Sequence, residues 1–526
     1  MRPSLFAAAS LSLLLPGTAT AFKHPKIFIP EIPISAEKAG ISKVHTFQQL
    51  IDHENPELGT FPQRYWYNDE WWEGKGAPVV LFTPGEVEAP RYVPYLTENT
   101  TTGLFAKETK GAVVLLEHRY WGTSTPFENL TAETLQYLTL KQSIADLTHF
   151  AKTVDLPFDT DHSSNADNAP WVISGGSYSG ALAAWTESTS PGTFWAYHAS
   201  SAPVEAIYDY WRYFVPVQEG MPKNCSRDID RVMRHIDHVH RTGNLKRQRE
   251  LKKMFGLEEL EHFDDLAQAI ENGPWLWQSN SFTTGYSGFY QFCDAVENVE
   301  AGTKHIPGPH GVGLHKALEG YAKWFKTSYL PGACADYGYW KDNHTVACFD
   351  THSPSNPMYT DLTTNNTFDR QWIWFCCNEP FFYWQSAAPW WHPTLVSRTA
   401  DAEYFQRQCP LFFPETNGYT YGSAKGKTAQ DVNKWTGGWS DRKAKRLIYS
   451  NGQFDPWRET GVSATGRPGG PMKSTPETPI LIVPGGLHTS DMRVSNGEAN
   501  PGVMDVINAE VAQIKTWVEE YYQEKK

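Results

Sequence analysis

Short apolar runs alternate with a helical pattern in the first 204 residues of the chain. Residues 77–83, 111–116 and 169–174 are almost continuously apolar, which is typical of strands buried on both faces of a parallel sheet. Residues 131–154 carry apolar side chains at helical spacing and are predicted as a crossover helix. With a further strand predicted at 194–201, this order indicates a doubly wound α/β sheet.

Two other regions complete that pattern. Residues 47–53 and 60–72 are rich in aromatic and β-branched side chains and are predicted as antiparallel strands at one edge of the sheet. After residue 419, strands are predicted at 446–450 and 479–483, and residues 501–521 are predicted as an amphipathic terminal helix. Both ends of the chain are therefore expected to build one α/β domain.

The middle of the chain has a different pattern. After an aromatic-rich stretch at 207–214, charged amphipathic helices are predicted at 227–240, within 245–272 and at 314–328. We therefore expect a mainly helical insertion at 205–418, between α/β parts at 22–204 and 419–526. All seven cysteines lie in it, and they are Cys225, Cys293, Cys334, Cys348, Cys376, Cys377 and Cys409. The odd number leaves at least one thiol unpaired, and the pairing stays open.

The first 21 residues are predicted to be a secretory signal peptide. Arg2 is followed by an apolar stretch at 5–15 and a small-residue cleavage pattern at 19–21, so the mature chain should begin near Phe22. The apolar stretch is too short to span a bilayer. Five sequons agree with export and predict a glycoprotein, with Asn99, Asn129, Asn224, Asn343 and Asn365 as the acceptors. In an oxidising compartment, disulfides are expected among the cysteines.

The composition of the chain disfavours some classes of binding partner. The 526 residues include 40% hydrophobic and 14% aromatic side chains, as in a folded globular protein. A net charge of −13 without an extended basic patch disfavours nucleic acid as a partner. No cysteine spacing is typical of a zinc site, and we expect neither a metal nor a cofactor.

A glycine-rich turn follows the apolar run that ends at Ile173. The turn places Ser177 between two pairs of small residues and leads into a run that can begin a helix. This strand, tight turn and helix are the context of a nucleophile elbow, in which the serine stands exposed above the sheet. The alternative is an ordinary turn with a spectator serine, and Ser179 stands where the usual pattern has glycine.

A nucleophilic serine needs a histidine base and a carboxylate that orients the base. Asp455 and His488 each follow a predicted strand, and they occur in the chain order typical of α/β-hydrolases, which is serine, acid, histidine. His118 is an alternative base, but it precedes the serine. Asp491 is an alternative acid, but it lies only three residues from His488. The favoured triad is Ser177, Asp455 and His488.

The oxyanion of the tetrahedral intermediate needs two amide donors. The backbone N–H of Tyr178, directly after the nucleophile, is the first candidate. The second should come from the loop after the strand at 77–83, where Gly85 allows a close backbone approach and Gly85 or Glu86 is the candidate donor.

Six motifs together resemble the family of Pro-X carboxypeptidase and dipeptidyl-peptidase II. Within that family the sequence is most similar to the secreted fungal acid prolyl endopeptidases, which also carry serine at the position of Ser179. The resemblance covers nearly the whole mature chain, and its motifs lie at residues 81–86, 117–122, 175–180, 374–379, 451–457 and 485–488.

This resemblance implies an α/β-hydrolase domain with a helical insertion, a triad of Ser177, Asp455 and His488, and cleavage after proline, in some members also after alanine. It further implies activity at acidic pH without a cofactor. One loop departs from the family pattern, because residues 83–88 replace the Gly-Asn-Glu-Gly of the mammalian members. The residues that recognise a substrate terminus are therefore not carried over, and endopeptidase and carboxypeptidase modes both stay open.

The proline ring is rigid and apolar and carries no N–H, which favours a small pocket with aromatic walls. Trp457, two residues after the acid, matches a pocket wall of the family in position. Trp374 and Phe375 are further candidates, although core packing is the alternative for each. Glu379 and Glu86 are candidates to lie near the cleft and, if protonated at low pH, to pair with a substrate carboxylate.

The sequence thus predicts a secreted serine peptidase that acts on proline-containing peptides or proteins. An acidic vacuolar or lysosome-like compartment is the alternative location, and the oligomeric state stays open. The alternative functions are a dipeptidyl-peptidase, a carboxylesterase on the same fold and a non-catalytic binding protein that resembles a hydrolase.

Overall fold

An eight-stranded sheet forms the centre of the protein. The computed structural model describes residues 41, 43–300, 303, 306–440 and 444–525, so the predicted signal peptide lies outside the described residues. Within these described residues, the strands are β1 His45–Leu50, β2 Thr60–Asn68, β3 Val79–Phe82, β4 Ala112–Leu116, β5 Trp171–Gly176, β6 Ala196–Ser200, β7 Ile207–Asp209, β8 Phe382–Trp384, β9 Leu447–Gly452 and β10 Ile480–Val483.

The strand order in this sheet is β1-β2-β4-β3-β5-β6-β9-β10. The six strands from β4 to β10 pair in parallel, whereas β2 runs antiparallel to both β1 and β4. Strands β3, β4 and β5 are buried along their whole length, as expected for a sheet covered on both faces. This topology confirms the predicted α/β-hydrolase fold with an antiparallel edge.

Helices cover both faces of the sheet and fill the region between β6 and β9. The α-helices are α1 Thr101–Thr109, α2 Leu140–Thr153, α3 Tyr178–Thr189, α4 Phe214–Gly220, α5 Lys223–Arg241, α6 Leu245–Phe255, α7 Phe263–Ile270, α8 Asn272–Trp275, α9 Gly288–Val296, α10 Leu314–Trp324, α11 Pro357–Thr360, α12 Arg370–Asn378, α13 Ala402–Gln406, α14 Cys409–Phe412, α15 Ala429–Thr436, α16 Val494–Ala499 and α17 Pro501–Glu524.

Two predicted helices differ from the observed ones for local reasons. The helix predicted from residue 131 begins only at Leu140, because the side chain of Thr139 accepts a hydrogen bond from the Gln142 amide and caps α2 there. The helical pattern at 245–272 is broken at Gly256, whose φ of 76° ends α6.

The chain leaves the large sheet after β6 and returns to it at β9. In between, β7 and β8 form a separate parallel pair, and many apolar side chains join the core cluster that also contains residues of β3, β4 and β5. The predicted boundaries at 205 and 418 fall inside this excursion, and the division into domains stays a prediction. No helix within the described residues is both long and apolar enough to cross a bilayer.

Three disulfides crosslink this middle region. They join Cys225 to Cys293, Cys334 to Cys348 and Cys377 to Cys409, and they close loops of 68, 14 and 32 residues. Such crosslinks stabilise a fold mainly by restricting the unfolded chain. Cys376 is left as a buried free thiol.

The predicted glycosylation sites differ in accessibility. The asparagines at positions 99, 129, 343 and 365 are exposed, whereas Asn224 is half-buried on α5. Glycosylation at all five positions stays a prediction.

The carboxyl group of Glu271 is fully buried between α7 and α8. Neither of its oxygens has a hydrogen-bond partner among the described residues. Burial raises the pKa of Glu271 well above its usual value of 4.5, and the charge of Asp237 adds to this. The unfolded chain therefore releases this proton near pH 4.5 while the folded chain keeps it, so the stability of the fold decreases as the pH rises above 4.5.

We predict that Glu271→Gln stabilises the protein at neutral pH and changes stability little near pH 4.5. Its advantage over the wild type should grow by up to about 1.4 kcal/mol per pH unit above 4.5, measured by urea unfolding at several pH values. Glu258→Gln, at an exposed position, is the control and should show no growing advantage. An effect of Glu271→Gln that is equal at pH 4.5 and pH 7 would contradict the prediction.

Candidate active site

Ser177 lies at the sharp turn between β5 and α3. Its backbone has φ 61° and ψ −133°, a conformation that costs free energy for a residue with a side chain and persists only where its surroundings enforce it. A Cβ atom on Gly175 would lie 2.2 Å from the Ser179 carbonyl oxygen, and one on Gly180 would lie 2.7 Å from the Ser200 carbonyl oxygen. Only glycine fits at these two positions, so the small residues make the turn possible.

The structure brings Ser177, His488 and Asp455 into one hydrogen-bonded chain. Ser177 Oγ lies 2.7 Å from His488 Nε2, and His488 Nδ1 lies 2.9 Å from Asp455 Oδ1. These residues follow β5, β10 and β9, whose carboxyl ends meet at one edge of the sheet. Asp455 Oδ1 also accepts a hydrogen bond from the Trp457 amide, which fixes the carboxylate.

This arrangement suits proton transfer from serine to histidine. A carboxylate at Nδ1 favours the tautomer that carries its proton there, and the lone pair on Nε2 then faces the Ser177 hydroxyl. All three side chains are buried, so water competes little for these hydrogen bonds.

The two alternative residues have other partners. His118 Nε2 lies 3.1 Å from the Tyr178 hydroxyl, and its Nδ1 lies 2.9 Å from the Arg119 carbonyl oxygen. Burial lowers the pKa of His118 to about 4. The carboxylate of Asp491 accepts hydrogen bonds from the hydroxyls of Ser200 and Ser450.

The loop predicted to complete an oxyanion hole packs against the elbow. Gly85 has φ 81°, and a Cβ atom on it would lie 3.4 Å from both Tyr178 Cδ1 and Ser179 Cβ. Glu86 is buried and lies close to Tyr178. Burial raises the pKa of the Tyr178 phenol most, and the charge of Glu86 is the second cause. The Tyr178 amide begins α3 directly after Ser177.

Trp457 lies in a cage of tyrosines. Its ring centroid is 5.5 Å from those of Tyr210, Tyr213 and Tyr383, and its Nε1 donates to Gln278 Oε1 at 2.9 Å. The Tyr210 hydroxyl donates to the Pro456 carbonyl oxygen, next to Asp455. From the sequence, residues 207–214 could be recognised only as an aromatic-rich stretch. No sequence signal indicated that the tyrosines of this stretch contact Trp457.

Of the two aromatic candidates on α12, Phe375 lies beside the elbow. Its ring is 5.4 Å from that of Tyr178, and it stacks on Phe381 at 5.6 Å. Trp374 instead packs on Phe413 and donates to the Leu138 carbonyl oxygen.

Glu379 joins α12 to other parts of the fold. Its carboxylate accepts a hydrogen bond from the Leu140 amide at the start of α2 and forms an ion pair with Lys427. The contacts of Glu379 are those of a residue that stabilises the fold. The same holds for Trp374, which contacts Phe413 and Leu138. The predicted role of both residues in substrate binding stays a prediction.

Residues after α8 contact the loops that carry the acid and the base. Trp277 Nε1 donates to the Phe454 carbonyl oxygen at 2.9 Å, and Gln278 holds Trp457 as described above. A Cβ atom on Gly485 would lie 3.9 Å from the ring of Phe282. The middle region therefore packs directly on the loops of both Asp455 and His488.

Comparisons with known proteins identify relatives of the chain. A family model described as Serine carboxypeptidase S28 matches residues 48–506. The serine protease vicPa of Bipolaris victoriae is 44% identical over 483 residues, which cover 91% of this chain and 89% of that protein. A protein of Arthroderma benhamiae described as a "Probable extracellular serine carboxypeptidase" is 29% identical over 507 residues, which cover 90% of this chain and 68% of that protein.

Among solved structures, an esterase from the archaeon Pyrobaculum calidifontis is similar over 90% of this chain and 86% of its own. The sequence identity is 9% and the TM-score is 0.34. This likeness is too distant to bear on substrate or mechanism.

We predict that Gly85→Ala lowers kcat by about 100-fold and changes KM little, because the displaced loop would misplace the candidate oxyanion donor. The strain of a side chain at φ 81° is about 1–3 kcal/mol. Steady-state kinetics with a peptide substrate provide the measurement. Gly76→Ala is a matched control, because Gly76 has φ 75° and the nearest contact of a Cβ atom there would be the Ser163 carbonyl oxygen at 3.9 Å. An equal loss of kcat in both variants would contradict a specific role for Gly85.

Proposed function

The chain belongs to the serine carboxypeptidase S28 family of serine peptidases, and we propose that it hydrolyses peptide bonds on the carboxyl side of proline through an acyl-enzyme. The hydrogen-bonded chain from Ser177 through His488 to Asp455 carries this proposal. The proposed substrates are proline-containing peptides or proteins.

The proposed reaction uses each member of the triad in turn. His488 Nε2 accepts the hydroxyl proton as Ser177 Oγ attacks the carbonyl carbon, and Asp455 stabilises the imidazolium that forms. The amides of Tyr178 and of Gly85 or Glu86 hold the negatively charged oxygen. His488 then donates its proton to the leaving amine, and water hydrolyses the ester by the same steps in reverse.

The aromatic cage supports the choice of proline. Trp457 lies two residues after Asp455, and the surrounding tyrosines hold its ring in place. A wall of this kind offers contact area to the rigid apolar ring of proline, and the ring nitrogen of Trp457 already has its partner in Gln278. Phe375 and Phe381, which pack on Tyr178, extend the aromatic surface beside the nucleophile.

We further propose that the protein is secreted and acts at acidic pH. Three disulfides are typical of an oxidising compartment, and a relative bears the description extracellular. Acidic activity agrees with the lower stability of the fold at higher pH that we expect from Glu271. Cleavage within a chain and release of a carboxyl-terminal residue are both compatible with the proposal.

We predict that Asp455→Asn lowers kcat by about 10⁴-fold with a much smaller change in KM, because the amide favours the wrong tautomer of His488. Kinetics with a chromogenic peptide that ends in proline provide the measurement, and Ser177→Ala sets the background. Activity of Asp455→Asn within a few-fold of the wild type would contradict the assignment of the acid.

We predict that a long polypeptide with interior prolines, incubated at mildly acidic pH, yields new carboxyl termini at proline. Mass spectrometry of the products distinguishes internal fragments from single residues or dipeptides, and so also separates endopeptidase from exopeptidase action. A matched polypeptide with leucine in place of each proline should stay intact. Turnover of simple esters without cleavage of either polypeptide would favour a carboxylesterase instead.

A further inference from the structure

Three ionisable side chains meet in the interior beneath the candidate active site. His198 lies on β6, Glu510 lies on α17, and Asp491 lies in the loop after β10. His198 Nε2 is 3.4 Å from Glu510 Oε1 and 3.7 Å from Asp491 Oδ2, and all three side chains are completely buried. The ring of Phe105 covers His198 edge-on at 5.1 Å, which keeps water from the group. We call His198, Asp491 and Glu510 the buried ion cluster.

Asp491 connects the buried ion cluster to the sheet. Its Oδ1 accepts a hydrogen bond from Ser200 Oγ at 2.7 Å on β6, and its Oδ2 accepts one from Ser450 Oγ at 2.8 Å on β9. The Asp491 carbonyl oxygen accepts a further hydrogen bond from Thr101 Oγ1 on α1. The side chain and the backbone of this one residue thus fix the loop after β10 to two strands and a helix.

The same loop carries His488. Thr489, directly after His488, donates its amide hydrogen to Ser201 Oγ at 2.9 Å. Ser200, which binds Asp491, also accepts the amide hydrogen of Ser177 through its carbonyl oxygen at 2.8 Å. Movement of Asp491 would therefore change the position of His488 relative to Ser177.

We infer that His198, Asp491 and Glu510 are positioning residues, which hold the loop of His488 in the geometry that the triad needs. This inference rests on the proposed function of Ser177 and His488. It concerns three side chains that do not touch the reacting atoms.

The charges in the buried ion cluster balance only when one carboxyl group is protonated. Burial opposes a charged His198, but Glu510 and Asp491 outweigh this effect and raise the pKa of the imidazole to about 9. Burial and the charge of Asp491 raise the pKa of Glu510 to about 7. Burial also disfavours the charged form of Asp491, but hydrogen bonds and the charge of His198 lower its pKa overall.

At pH 5 the cluster thus holds one imidazolium, one carboxylate and one neutral carboxyl group. As the pH rises through 7, Glu510 loses its proton and leaves an uncompensated negative charge in the interior, which is costly. Both raised pKa values act in the same direction, because the folded state binds more protons than the unfolded state between pH 4.5 and 9. The cluster therefore holds the loop most firmly at acidic pH.

Two other titratable groups face the cluster from neighbouring segments. Tyr95 lies close enough to Asp491 and Arg493 for both charges to act on its phenol, whose pKa burial raises. The tyrosine is therefore neutral across the range from pH 5 to 9. Its charge does not change in the range where Glu510 and His198 titrate.

The test compares His198→Gln, Glu510→Gln and the double variant. The readout is the rate at which a fluorophosphonate labels Ser177 between pH 4.5 and 9, because this rate depends on the triad and not on recognition of proline. His198→Gln leaves two carboxyl groups without a cation, so its labelling rate should fall about tenfold below the wild type at pH 7.5 and recover towards pH 5. Adding Glu510→Gln removes one of these charges and should restore most of the rate at pH 7.5.

Glu510→Gln alone should move the decline of labelling at alkaline pH to higher pH, and it keeps the inference testable if His198→Gln does not fold. Glu519→Gln, at an exposed position of the same helix, is the control and should follow the wild type. Parallel losses at every pH, or no recovery in the double variant, would overturn the inference. A wild type that is not labelled at any pH would instead overturn the proposed function on which the inference rests.

Discussion

The hydrogen bond from the Ser177 amide to the Ser200 carbonyl oxygen is the contact on which the rest of the site depends. It ties the strained turn after β5 to the end of the neighbouring strand, and the same carbonyl oxygen leaves no room for a side chain on Gly180. The hydroxyl of Ser200 in turn binds Asp491, three residues after His488. One residue at the end of β6 therefore sets the positions of both the nucleophile and the base.

The sequence was sufficient to predict those parts of the site that follow from the order of strands. The runs at 77–83, 111–116 and 169–174 are apolar throughout because both faces of β3, β4 and β5 are covered, and the three triad candidates could be recognised because each directly follows a strand. Contacts between residues that lie far apart in the sequence and belong to no motif could not be predicted. Tyr383 and Gln278 meet Trp457 only through the path of the middle region, and His198 and Glu510 appeared as ordinary members of a strand and a helix.

The middle region is part of the same packed structure as the α/β sheet. Trp277 and Gln278 hydrogen-bond to the loop of Asp455, and apolar residues of the region share one core cluster with the sheet. Ser177 and His488 are almost completely inaccessible to solvent in this arrangement. The middle region therefore contributes contacts that hold the loop of Asp455.

The free thiol of Cys376 has a consequence for how the protein matures. It is the immediate neighbour of Cys377, which pairs with Cys409, so two adjacent thiols are candidates for the same partner while the chain is unfolded. In the finished fold, burial raises the pKa of the Cys376 thiol well above its usual value, and the inert protonated form cannot attack the neighbouring disulfide. Exchange between this thiol and the Cys377–Cys409 disulfide is therefore blocked in the folded protein, so the pairing is fixed once the fold has closed.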